Sequence, residues 1–352
     1  MSFVLIIFFV SGCSSNEASG EESSEVKIGI LMPSKALERW EKDGDFMVRE
    51  LEKEGYTTSI QYAQDDVPTQ VNQIENMISM GADLLIVAPI DGAALSSSID
   101  LADSLDIPVI AYDRLILHSD GIDYYATYDN YRVGQLQGQY IVDSLGLDST
   151  NEIFNIELFG GAPDDNNARY FYDGAMDILT PYIESGQLVV QSGQTAFNTI
   201  AIENWDSAQA QSRMDNLISS SYSSETLDAI LAPNDAIALG VVSSLQSVGY
   251  GSEDRPMPII TGQDAEMQSV KSIVSGNQTM TVFKDTQALA EATAKMAKSI
   301  IDGEEVAVND TETYDNGIKV VPSLLLEPVA VDITNYEEIL LDSGYISESD
   351  LN

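Results

Sequence analysis

Short runs rich in Val and Ile recur along this chain, and stretches with helical periodicity lie between them. From residue 26 onward, "KIGILM", "TSIQYA", "DLLIVAP" and "PVIAYD" are separated by segments such as "QVNQIENMISMG" and "GAALSSSIDLADSL". In the first of these segments Val71, Ile74, Met77 and Ile78 repeat at the spacing that gathers side chains on one helix face. Apolar strands alternating with amphipathic helices are the pattern of parallel sheets covered on both faces. A second series follows: "FNIELFGG", "QLVVQSGQ", "LDAILAPND", "MPIITGQD" and "TMTVFKD", with helices in "NARYFYDGAMDILTPYI" and "DSAQAQSRMDNLISSSY". Two series of strands are too many for one ordinary core, and 352 residues suffice for two domains. The expected class is α/β, with two doubly wound parallel-sheet lobes. No heptad, transmembrane run or fixed-period repeat interrupts the pattern.

Charge narrows the partners. The chain carries 16 Lys plus Arg against 57 Asp plus Glu, a net charge of -41. Such a field repels phosphate backbones and anionic membrane surfaces, which argues against nucleic acid as a partner. The acidity suits a solvated surface, and is equally compatible with a salty habitat or a cationic partner.

The first residues read as a targeting segment. Phe3 to Val10 are apolar, too few to span a bilayer and about the length of a secretory core. Small residues precede Cys13, the single cysteine, so no internal disulfide is possible. "VSGC" resembles a lipoprotein signal, in which Cys13 would carry lipid and hold the protein to the membrane. The Ser, Glu and Gly tract up to residue 25 would then be a flexible leash. The departure from such signals is that no Lys or Arg precedes the apolar run.

Open parallel sheets bind ligands beyond the carboxyl ends of their strands, so the residues standing there are the candidates. Arg39 and Trp40 follow the first strand, Asp113 and Arg114 follow "PVIAY", and Asp164 to Asn167 follow "FNIELFGGAP". Asn234 and Asp235 follow "LDAILAP", Asp264 follows "MPIITGQ", Lys284 follows "MTVF", and Trp205 precedes a helix. Planar guanidinium forks, carboxylates and amides both donate and accept, while two indoles offer flat apolar faces. A pyranose needs that combination, because its hydroxyls lie around a ring whose C–H faces are apolar. Trp40 is expected to wall one face of a sugar. Each polar residue also has a plainer reading. An Asp or Asn after a strand caps the next helix, and Asp113 could pair with Arg114. Asp164, Lys35 and His118 read as solvated.

"LERWEKDGD", "IENMISMGADLLIVAPIDG", "VIAYDRLI", "FGGAPDDNNA", "IITGQDAEMQSVKSI" and "TMTVFKDT" resemble the xylose-type branch of the periplasmic sugar-binding proteins, from about Val26 to the C-terminus. The resemblance is greatest to its multiple-monosaccharide-binding members. It implies a type I periplasmic-binding-protein fold with two lobes joined by a three-stranded hinge. Crossings would lie near residues 124–130, at "MTVFKD" and near "IKVVPSLLLEP". The implied lobes are 26–128 with 286–320, and 129–285 with 321–352. By motif, the implied ligand set is Arg39, Trp40, Asp113, Arg114, Asp165, Asn167, Trp205, Asn234, Asp264 and Lys284. Asp235 either touches ligand or supports Asn234. The implied partners are a monosaccharide (xylose, glucose, galactose or arabinose) and the permease and ATPase of an ABC importer. The protein would act as a monomer outside the cytoplasm, without cofactor or metal.

Two other classes fare worse on the residues themselves. A glycoside-cleaving enzyme needs carboxylates on opposite sides of one bond, and the adjacent pair Asp164 and Asp165 does not supply that by itself. No catalytic residue is assigned. A sugar-responsive repressor needs a basic DNA-binding segment, and residues 1–25 contain no Lys or Arg. A role as co-receptor in chemotaxis or two-component signalling is compatible with sugar capture.

Overall fold

The computed structural model describes residues 25–351. The chain begins with β1 (Lys27–Met32), α1 (Glu38–Lys53), β2 (Thr57–Tyr62), α2 (Val67–Ser79), β3 (Leu84–Val87), α3 (Ser96–Asp103), β4 (Val109–Tyr112) and β5 (Tyr124–Tyr128). It then crosses to a second lobe. There α4 (Asn130–Leu145) and β6 (Phe154–Leu158) are followed by α5 (Asn166–Ser185), β7 (Leu188–Val189), the single turn α6 (Phe197–Ile200) and α7 (Ser207–Ser221). β8 (Ala229–Leu231), α8 (Asp235–Ser247), β9 (Ile259–Ile260), α9 (Met267–Val274) and β10 (Met280–Phe283) complete this passage. The chain returns through α10 (Thr286–Asp302) and β11 (Ser323–Leu326), then crosses again to β12 (Val329–Asp332) and α11 (Glu348–Leu351).

The first lobe is built on a six-stranded sheet in the order β11-β5-β4-β3-β1-β2, and every pairing in it is parallel. Side chains of β1 alternate between its two faces. Ile28, Ile30 and Met32 pack with Met47, Leu51 and Leu289 of α1 and α10. Leu31 packs on the other face with Ile74, Met77 and Ile99 of α2 and α3. This double burial is why the strands read as continuous apolar runs. The second lobe has a parallel sheet ordered β7-β6-β8-β9, and β12 runs antiparallel to β10 beside it.

Part of the acidity serves local structure. Asp66, Asp129, Asp165, Asp206 and Asp285 each accept a backbone N–H at a helix start, as Asn234 does at α8. A carboxylate there satisfies an orphan donor and faces the positive end of the helix dipole.

The three crossings fall between β5 and α4, between β10 and α10, and between β11 and β12. One expected boundary is corrected. Residues 321–352 do not all belong to the second lobe, because β11 pairs with β5, Ser323 against Tyr125 through Leu326 against Tyr128. The motif "PSLLLEP" contains a full strand of the first sheet before the crossing, and sheet neighbours are not visible in a strand's own sequence.

Helices α4 and α5 approach closely through glycine. A Cβ on Gly134 would lie 2.0 Å from the Phe171 carbonyl oxygen, and one on Gly174 would lie 2.1 Å from that of Tyr131. Backbone cannot yield as a flexible side chain can. Gly134→Ala should therefore destabilise the fold by about 1–3 kcal/mol. Urea unfolding is the check, and an unchanged midpoint would show that the two helices can part without cost.

Candidate functional site

The carboxyl ends of both sheets face one another across a cavity of about 290 Å³. Of the residues expected there, Arg39, Trp40, Asp113, Arg114, Asp165, Asn167, Trp205, Asn234, Asp264 and Lys284 all line it. Asp235 does not. It is fully buried beneath the site, where its carboxylate accepts from Gln278 Nε2 (3.0 Å), Thr281 Oγ1 (3.1 Å) and the Glu266 amide (2.9 Å). With no cation bonded to it, burial first and then Glu266 and Asp264 drive its pKa well above the usual carboxylate range. It supports the floor of the site rather than touching the cavity.

Leu37, Phe171 and Gln263 also line the cavity and were not expected. Two had a signal in the sequence. Gln263 immediately precedes Asp264, and Phe171 lies one helical turn after Asn167 on the same face of α5.

Arg39 organises the polar wall. Its Nε donates to Asp43 (3.1 Å), Nη1 to Asp264 (3.2 Å) and Nη2 to Asp113 (2.7 Å). Asp264 belongs to the second lobe, so this one guanidinium ties the lobes together. Behind it, the Tyr112 hydroxyl donates to the other oxygen of Asp43. Lys284, on the crossing after β10, reaches Asp264 at 3.2 Å and Asp113 at 3.7 Å. Burial pushes the Asp113 carboxyl up, but Arg39, then Lys284 and Arg114, outweigh it and hold it below the ordinary value. Arg114 pairs with Asp165 across the cleft (2.9 Å), so Asp113 and Arg114 each bond to a different partner and do not serve one another.

Several of these residues hold conformations that side chains disfavour. Asp113, Trp205 and Asp264 have φ of 59°, 57° and 96°. Such strain persists only when surroundings over-determine it. At Asp113 the cause is visible: its carbonyl oxygen accepts from the Tyr125 hydroxyl (2.6 Å), Thr127 Oγ1 (2.9 Å) and Asn167 Nδ2 (2.7 Å). Asn167 in turn accepts from Asn130 Nδ2 at 3.0 Å. The left-handed turn swings Asp113 into the cleft, and an amide from the opposite lobe locks it.

The indoles come from opposite lobes. Trp40 is 1% exposed and has the guanidinium carbons of Arg39 and Arg114 at 4.6 and 5.0 Å from its ring centre. Trp205 is 5% exposed, meets Phe171 edge-on, and is seated against Gly161. Two buried polar atoms among the lining residues lack a protein partner: the Trp205 Nε1 donor and the Gln263 Oε1 acceptor. Asn234 spends its carbonyl on the Ile237 amide, which leaves its NH₂ as its contribution to a ligand. The site thus presents fixed donors, fixed acceptors and flat rings around a small enclosed space.

The chain is a two-lobed protein that encloses a small molecule between facing sheet edges. A model of the periplasmic binding protein domain matches residues 28–305. A multiple sugar-binding periplasmic protein, SbpA, of Azospirillum brasilense is 53% identical over 322 residues, 92% of this chain and 90% of that one. A D-xylose-binding periplasmic protein of Escherichia coli is 37% identical over 329 residues, 94% and 93% of the two chains. Among solved structures, an ABC transporter solute-binding protein from Clostridium phytofermentans with bound β-D-glucose superposes with a TM-score of 0.89 at 50% identity, covering 93% of this chain and all of that one. The chain belongs to the periplasmic binding protein family, in its xylose-type branch, and has the type I fold of that family.

The seat of Trp205 is testable without any ligand. A Cβ on Gly161 would fall 2.0 Å from the indole, so Gly161→Ala should displace the ring toward water. Emission from the chain's two tryptophans should then shift to longer wavelength. An unshifted spectrum in a folded variant would show that Trp205 does not depend on this contact.

Proposed function

We propose that this protein is the ligand-capturing component of an ABC importer and that it takes a monosaccharide of the xylose, glucose, galactose or arabinose type. The observation that carries this reading is the cavity itself. Indoles from opposite lobes, three cations and three carboxylates surround about 290 Å³, with an unpartnered donor and an unpartnered acceptor among them. Ring C–H faces match the indoles, and hydroxyls match the charged edges. Sugar-binding relatives at 37% to 53% identity support the same class. Those relatives are sugar-binding proteins, and the reading is of a binding protein rather than an enzyme.

The mechanism follows from the crossings and the bonds between lobes. Three strand ends joined by short connections let the lobes rotate about the crossing region. In the closed form Arg39 meets Asp264, Arg114 meets Asp165, and Glu38 accepts from the Met267 amide (3.2 Å) at the start of α9. A sugar gripped from both lobes adds its contacts to these and shifts the population toward closure. The closed surface would then engage the permease and its ATPase, with the protein working as a monomer outside the cytoplasm. Lipid on Cys13 would hold it at the membrane; that residue lies outside the described ones.

Asp113→Ala removes the carboxylate shared by Arg39 and Lys284 and should weaken monosaccharide binding at least tenfold, as about 2–5 kcal/mol for a broken buried charge pair implies. Titration calorimetry measures this, and unaltered affinity would remove Asp113 from the site.

Glu266 gives a pH dependence. Burial, then Asp264 and Glu38, raise its pKa from 4.5 to about 7, against Lys42 and Arg39. Glu38, Lys42 and Arg39 all come from α1, so this environment exists only when the lobes close. Asp43 and Asp235 keep their hydrogen-bond partners within their own lobes. A raised acid pKa means that the closed form binds the extra proton. Closure is therefore favoured at low pH, and the advantage fades as pH rises from the open-form value through about 7. Sugar affinity should decline over that window and then level off, and Glu266→Gln should flatten the decline. An equal slope in the variant would assign the effect elsewhere.

A further inference from the structure

A second cavity, of about 740 Å³, adjoins the first at the mouth of the cleft. The two share four lining residues: Leu37, Trp40, Arg114 and Trp205. Both indoles therefore continue from the inner cavity into the outer one. The outer chamber is lined from both lobes, with Asp65 and Ile90 on one side and Asp164, Asn204 and Ser207 on the other. It mixes apolar surface with hydroxyl, amide and carboxylate groups, the same chemistry as the inner site at lower charge density. Asn204 and Trp205 both have left-handed backbone, with φ of 55° and 57°, which brings this turn to the rim. The unpartnered Trp205 Nε1 belongs to a residue that lines both cavities.

We propose that the outer chamber is a second sugar subsite, so that the protein also takes disaccharides, one ring in the inner cavity and the second beyond it between Trp40 and Trp205. This rests on the monosaccharide reading of the inner site and extends it. The inner cavity is the smaller and more heavily charged of the two, about 290 Å³ against about 740 Å³. A second ring needs space continuous with the first, aromatic walls and hydrogen-bonding groups that are not already tied into ion pairs. The outer chamber supplies all three. The indole N–H without a protein partner belongs to Trp205, which lines both cavities, and is free to bond an oxygen of the bound sugar. Closure would remain possible with the second ring in place, because the contacts Arg39–Asp264 and Glu38–Met267 involve no residue of the outer chamber, although Arg114 of the Arg114–Asp165 pair lines it.

The test is titration calorimetry of the full chain with glucose, xylose, cellobiose and xylobiose. Wild type should give saturable heat with at least one of the disaccharides. Ala36→Trp places bulk in the outer chamber from an exposed loop position that does not line the inner cavity. It should weaken disaccharide binding at least about tenfold while monosaccharide affinity changes less than about threefold. Asn204→Gly keeps the left-handed backbone, removes the amide, and should act in the same direction with smaller size. Saturable monosaccharide binding with no disaccharide heat would overturn the second subsite and leave the proposed function standing. Disaccharide binding indifferent to both substitutions would also overturn it. Absence of heat with every sugar would instead sink the underlying reading.

Discussion

Arg39 stands in the first turn of α1 with a different carboxylate on each of its three nitrogens, Asp43, Asp264 and Asp113. Its burial is tolerable only because those partners return what desolvation takes away. The same three bonds set the geometry of the site. Asp43 anchors the guanidinium to its own helix, Asp113 fixes its reach into the cleft, and Asp264 binds the opposite lobe. A planar fork can satisfy three directions at once, whereas a lysine ammonium on a flexible stem would hold none of them in a plane. Lys284 complements it as a point charge between the two carboxylates that face the cavity.

At the site the lobes meet through polar groups, while Leu37 and Tyr170 each pack from one lobe against the core of the other. Apolar contact across the cleft would favour closure whether or not a ligand arrived. Ion pairs and amide bonds are different, since water satisfies them when the cleft opens. The ligand's own contacts then add to the closed side of the balance. The carbonyl of Asp113 shows the principle at one atom: two donors come from its own lobe and hold the strained turn, while Asn167 arrives from the other. The rigid part of the site is built into each lobe, and only the last bond depends on closure.

Burial below the site is equally purposeful. Asp235 was a candidate ligand because it follows a strand beside Asn234. The fold instead turns it under the floor, where Gln278, Thr281 and the Glu266 amide surround it. Asn234 caps α8 and lines the cavity at the same time, so the two readings of a polar residue after a strand are not exclusive. Adjacent residues at a helix start point in different directions, and the sequence gives no sign of which one faces the ligand.

Strand and helix order, the class of sheet and most of the cavity's side chains follow from the sequence alone. A buried parallel strand must be apolar on both faces, a helix must carry a periodic stripe, and polar residues at strand ends have few other reasons to gather. β1 and α5 were legible for that reason, as were Arg39, Trp40 and Asp264. Partners were not. That Asp113 bonds to Arg39 and Arg114 to Asp165, that β11 joins β5, and that Gln263 and Phe171 reach the cavity are facts about segments far apart in the chain. Hydrophobic periodicity records which side of an element is buried but not what it is buried against, and that choice was made only when the two sheets were brought edge to edge.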